Sequence, residues 1–132
     1  MRDLRQDRTR SADVREERLR ATAGLRSSNT LSAWRGRSGR RYIVGIHPLV
    51  EAEVLGVTDA VILAVRRDET GIAHVVDVAT VGSHPSQQGR ARWLSKVQKR
   101  GATEMHVHRL AEDDGQRHAI AEDLREDESQ VS

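Results

Sequence analysis

From residue 41 onward, apolar and polar positions fall into short, readable patterns. Arg41-Tyr42-Ile43-Val44-Gly45-Ile46 reads as a strand, and His47-Pro48 ends it because proline restricts its predecessor and has no donor. Residues 49–57 allow one helical turn holding Val50 and Val54. Ala60-Val61-Ile62-Leu63-Ala64-Val65 is a continuous apolar run, the signature of a central strand buried on both faces. A polar turn over 66–71 with Gly71 returns the chain through a strand over 74–81, so residues 60–81 form a hairpin. Pro85 opens a helix over 86–100, and Gly101 caps it. Trp93, Leu94 and Val97 share its inner face.

Residues 103–109 alternate as a strand, with Met105 and Val107 on one side and Glu104, His106 and His108 on the other. A last helix over 111–126 buries Ile120, Ala121 and Leu124 and exposes Glu122, Asp123, Glu126 and Asp127. The predicted fold is α+β: a small central β-sheet in the order β, β-hairpin, α, β, α, with helices packed on it. A single domain spans 34–126, preceded by a flexible N-terminal arm and followed by an acidic tail over 127–132.

The arm, residues 1–33, has few apolar positions (Leu4, Val14, Leu19, Leu25). That is too little burial to offset ordering the backbone, so the segment reads as basic and disordered. A short helix over 12–23, supported by Glu16 four residues before Arg20 and ended near Gly24, is its one candidate element. Phe is absent, and Trp34, Tyr42 and Trp93 are the only aromatics among 132 residues, so the core must be aliphatic. The absence of cysteine removes disulfides, thiolate metal sites and cysteine nucleophiles, and suits a reducing compartment. No run approaches the roughly 18 apolar residues of a membrane span. No membrane partner and a cytoplasmic location are therefore expected.

The net charge of +2 conceals a gradient. Residues 1–33 carry eight Arg against five acids, and residues 34–41 add Arg35, Arg37, Arg40 and Arg41. Residues 112–132 hold eight acids against two Arg. Such asymmetry suits nucleic acid, or attraction between the two ends within or between molecules. On the helix over 86–100, Arg92, Lys96, Lys99 and Arg100 share a face at i, i+4, i+7 and i+8. Four cations within three turns can follow a phosphate backbone and release counterions. A solvated face is the commoner reason for such a cluster. Arg66, Arg67 and the arginines of 35–41 strengthen the phosphate reading if they fall on the same side. Few aromatics interleave, so base stacking is not suggested.

His106 and His108 alternate on one strand face, and His74, His84 or His118 are the available further metal ligands. Two histidines alone are a weak metal signal, and half-exposed histidines beside the acidic helix are the plainer reading. Ser38, Ser83 and Ser86 lack a nucleophile-elbow context, and no glycine-rich loop opens a helix. No catalytic residue, metal ligand or cofactor is assigned.

Two motifs carry a family resemblance. Trp34-Arg35-Gly36-Arg37-Ser38-Gly39-Arg40-Arg41-Tyr42 and Gly101-Ala102-Thr103-Glu104-Met105-His106-Val107-His108, with the hairpin and basic helix between them, resemble small GIY-YIG-like proteins over residues 34–125. In the GIY-YIG nuclease superfamily two hairpin tyrosines assist water attack, a helix arginine steadies the phosphate, and a glutamate holds one divalent metal. The resemblance puts Ile62 and Val76 where tyrosines belong, Arg92 (or Arg90) at the arginine and Glu122 at the glutamate. Neither Ile nor Val can move a proton, so a degenerate member is implied. The expectation is a non-catalytic nucleic-acid-associated module contacting phosphate through Arg35, Arg37, Arg40, Arg41, Arg66, Arg67, Arg92, Lys96, Lys99 and Arg100. The alternatives are a protein-interaction or assembly module and, ranked last, a residual metal-dependent nuclease using Arg92 and Glu122. The sequence leaves the oligomeric state open.

Overall fold

A computed structural model describes residues 14–17 and 30–125. Among these residues six antiparallel strands form one sheet: β1 (Arg15–Glu17), β2 (Thr30–Arg35), β3 (Arg41–Pro48), β4 (Ala60–Arg67), β5 (Ala73–Val81) and β6 (Glu104–His108). Their order across the sheet is β1-β2-β3-β6-β4-β5. Among the described residues three helices accompany them: α1 (Glu51–Leu55), α2 (Gln87–Lys99) and α3 (Asp114–Leu124). The architecture is α+β, with helices packed on an antiparallel sheet. Among the described residues no helix is long and apolar enough to cross a membrane.

β4 organises the core. Residues 60–65 are all fully buried, and the pleat sends them alternately to two apolar layers. Ala60, Ile62 and Ala64 join Val54, Trp93, Leu94, Val97, Met105 and Val107 beneath α1 and α2. Val61, Leu63 and Val65 join Trp34, Tyr42, Val44, Ala121 and Leu124 on the other face, beneath α3. β6 pairs with β4, setting Val107 opposite Ile62 and Met105 opposite Ala64. β6 thus adds to the hairpin of β4 and β5 in one sheet, with the Trp93 helix packed on it.

The sheet also curls. Glu16 of β1, at one edge, lies 3.0 Å from Arg67 on β4, although three strands separate them in the order. Val14, just before β1, reaches the same apolar layer as Ala73 and Val78 of β5.

Several expectations change. Residues 15–17 are a strand paired with 33–35, not part of a helix over 12–23, and residues 30–33 belong to β2 rather than to an arm. Residues 1–13, 18–29 and 126–132, which hold most of the expected arm and the whole acidic tail, lie outside the described residues. Pro85 precedes α2 instead of opening it: Ser86 is the N-cap, its side chain accepting from Gly89 N. Gly101 ends the helix at a φ of 96°, a conformation that favours glycine.

Candidate functional site

The ten basic residues singled out in the sequence divide among three settings. Arg92, Lys96, Lys99 and Arg100 all point outward from α2 or its C-cap and are exposed. Lys96 makes one loose ion pair, 3.8 Å from Asp77, the kind of surface contact that contributes little. Asp77 is mainly held by Trp93, whose Nε1–H donates to it at 2.6 Å, and Arg90 stacks over the Trp93 ring at 5.5 Å. Arg66, also exposed, joins this group. Its stem runs past Gly101, where an added Cβ would stand 3.1 Å from Arg66 Cδ. The glycine that ends α2 thus leaves room for a β4 arginine beside the helix C-terminus.

The β2–β3 turn holds the second set. Arg41 pairs with Glu17 at 2.7 Å and Arg35 with the same carboxylate at 3.7 Å. Arg37 donates to Glu122 O at 2.6 Å, and its backbone N–H donates to Asp123 O. Arg40 is exposed. The whole Trp34–Tyr42 motif fastens α3 to the sheet. Asp123 accepts from Ser38 N at 2.8 Å, Ser38 Oγ at 2.7 Å and Tyr42 OH at 2.7 Å. Burial and the Asp123 carboxylate push the Tyr42 phenol up to about 12. Gly36 sits against this clamp, since an added Cβ would stand 2.2 Å from Asp123 Oδ2. Asp123, expected on an exposed helix face, is therefore half-buried and fully employed.

Arg67 occupies the third setting, on the opposite face from Arg66. Its guanidinium donates to Glu104 at 3.0 and 2.8 Å, to Glu16 at 3.0 and 3.4 Å, and to Gly71 O at 2.9 Å. The chain of contacts continues inward. Ser32 Oγ donates to Glu16 at 2.9 Å, His106 Nε2 lies 2.9 Å from Glu104 Oε1, and Trp34 Nε1–H donates to His106 Nδ1 at 2.8 Å. Because the indole can only donate, His106 Nδ1 must accept, leaving Nε2–H to donate to Glu104. The neutral tautomer is thereby fixed. Burial, the largest influence, holds His106 below its ordinary value despite two nearby carboxylates. Arg67 holds Glu104 down at about 2, against partial burial. Burial pushes Glu16 up, but Arg67 and Ser32 together bring it below the usual carboxylate range.

This network was not foreseen. His106 is fully buried and His108 is buried rather than half-exposed, and His108 Nδ1 lies 2.8 Å from Ile43 O. Both His106 ring nitrogens are engaged within the fold. His74 pairs with Asp68 in the β4–β5 turn, while His84 and His118 are exposed elsewhere. Among the described residues no group of three His, Asp or Glu side chains could hold a metal ion. The signal that could have revealed the network is the alternation Glu104-His106-His108 opposite an otherwise apolar strand, which places polar groups on a buried face.

The positions suggested by the family resemblance also separate. Ile62 is wholly buried, and Val76 packs against the same apolar layer. Arg92 rides on α2 and Glu122 on α3, helices that cover opposite faces of the sheet. Glu122 itself pairs with Arg125. No protein-family model, curated protein or solved structure matches the chain.

Proposed function

We propose that this protein is a non-catalytic nucleic-acid-associated module whose phosphate contacts come from the outer face of α2, extended by Arg66. One observation carries this reading: Arg92, Lys96, Lys99 and Arg100 are exposed together on or beside one helix, and the side chain of Arg66 is led to the C-terminal end of that helix. Five cations on one surface can neutralise successive phosphates without base contacts, giving sequence-tolerant, salt-sensitive binding. Arg35, Arg37 and Arg41 contribute less, because each already serves a contact within the fold. Arg67 contributes nothing directly, being bound to two carboxylates. Within this reading the chain is a degenerate GIY-YIG-like domain in a cytoplasmic setting. The order of hairpin, basic helix, strand and acidic helix supports that ancestry, and the burial of Ile62 fits loss of the hydrolytic step. A residual nuclease is disfavoured because Arg92 and Glu122 lie across the sheet from one another.

The test is a fluorescence-anisotropy titration with labelled duplex DNA and RNA across a salt series. Binding at low salt, with a log–log slope of about −4 to −5 on duplex DNA that shrinks in Lys96→Glu/Arg100→Glu, is expected. Absence of binding to either polymer at low salt rejects the reading.

A further inference from the structure

α1 and α2 cover only part of their face of the sheet. They pack over β4, β5 and β6, and beside them an apolar groove of about 230 Å³ opens along β3 and the end of β6. Ile43, Gly45, His47, Val107, Arg109 and Leu110 are among the residues that line it. Gly45 is in register with Leu31 on one side and Val107 on the other. A side chain there would enter the groove, because the nearest atom to an added Cβ is His47 Nε2 at 3.4 Å.

The same patch also carries exposed apolar side chains. Leu110, at the groove's edge, is 69% exposed, and Ile43 is 45% exposed. Large apolar side chains presented this openly beside an apolar hollow mark an interaction surface. The charges around Leu110 select the occupant. Arg109 precedes it and Glu112 follows, both exposed, while Asp113 is the N-cap of α3, its side chain accepting from Gln116 N at 2.8 Å. Laid antiparallel against a copy of itself, this segment sets each Arg109 opposite a Glu112. A patch that holds both knob and hole, with charges that complement their own reversal, is self-complementary in the sense a two-fold interface requires.

We propose that a second copy of this chain occupies the groove. In the resulting two-fold dimer each Leu110 seats above the partner's Gly45, and each Arg109 faces the partner's Glu112. The basic face of α2 plays no part in the contact, so the dimer stands or falls independently of nucleic-acid binding.

Sedimentation velocity or light scattering of the full chain, over a concentration series reaching the high micromolar range, tests this. The expected result is a concentration-dependent shift toward twice the 14.8 kDa chain mass. Leu110→Asp should raise the dissociation constant at least about tenfold, without moving the thermal midpoint at low concentration, because the side chain is exposed. Gly45→Leu, which fills the hole, should do the same. Arg109→Glu should weaken association, and Arg109→Glu combined with Glu112→Arg should restore it, which simple loss of a contact would not do. A wild-type chain that stays monomeric throughout overturns the proposal and leaves the groove to an unlike protein or a small apolar ligand. A Leu110→Asp chain that dimerises as well as wild type overturns it equally.

Discussion

Arg66 and Arg67 are adjacent, chemically identical and on one strand, yet they belong to different parts of the molecule. The pleat of β4 turns Arg66 toward the end of α2, where its stem passes Gly101 and the residue is exposed. It turns Arg67 into the curl of the sheet, where Glu16, Glu104 and Gly71 O take its donors. The comparison teaches that the number of arginines does not define a phosphate-binding surface. What defines it is which cations the fold leaves uncommitted. Buried charge specifies the closure of the sheet, because a carboxylate there is tolerable only with its guanidinium, and exposed charge remains available to a partner.

The comparison breaks most readily at Arg67. Arg67→Met removes the guanidinium that Glu16 and Glu104 share and should cost about 3–5 kcal/mol, read from urea unfolding. Arg67→Lys should recover only part, since an ammonium cannot span both carboxylates with a planar fork. His106→Ala comes next: it leaves the Trp34 indole N–H buried without an acceptor and should cost about 2–3 kcal/mol.

The same network sets the pH dependence. His106 titrates below its ordinary 6.5 in the folded chain, so the unfolded chain takes up the proton first. Its contribution is complete above about 6.5 and declines as pH falls below that value. Glu104, at about 2 when folded against an ordinary 4.5, adds a second loss as pH falls from about 4.5 toward 2. Urea midpoints measured across this range should therefore drop in two stages, and His106→Gln should remove the first while keeping the second. Gly36→Ala, which drives a methyl into the Asp123 clamp, should cost about 1–3 kcal/mol, seen as a lower thermal midpoint. The smallest effect on stability belongs to Arg66. Arg66→Glu should change it by less than about 0.5 kcal/mol while weakening polyanion binding, the reverse of the pattern at Arg67.

Much of this architecture is legible without coordinates. The apolar run of β4, the hairpin, the amphipathic α2 and the alternation of β6 each announce themselves within a few residues. β1 and β2 do not. Glu16 and Ser32 are polar residues on an inward face; Ser32 is satisfied by Glu16, and Glu16 in turn by Arg67, 51 residues further on. His106 is similar, since its alternation is visible but its acceptor role depends on Trp34, 72 residues away. The two arginines could not be told apart because both faces of β4 are apolar, so no local pattern says which neighbour turns inward. The exposed basic helix was legible because helical spacing alone puts its cations on one side.

The most direct test of the central claim is the salt dependence of duplex binding for three chains: wild type, a variant with Arg66, Lys96, Lys99 and Arg100 changed to Glu, and a variant with Arg35, Arg37 and Arg40 changed to Glu. Binding that vanishes in the first variant, and persists with most of its salt slope in the second, is the predicted result. Equal loss in both, or binding that survives reversal of the α2 face, would contradict it.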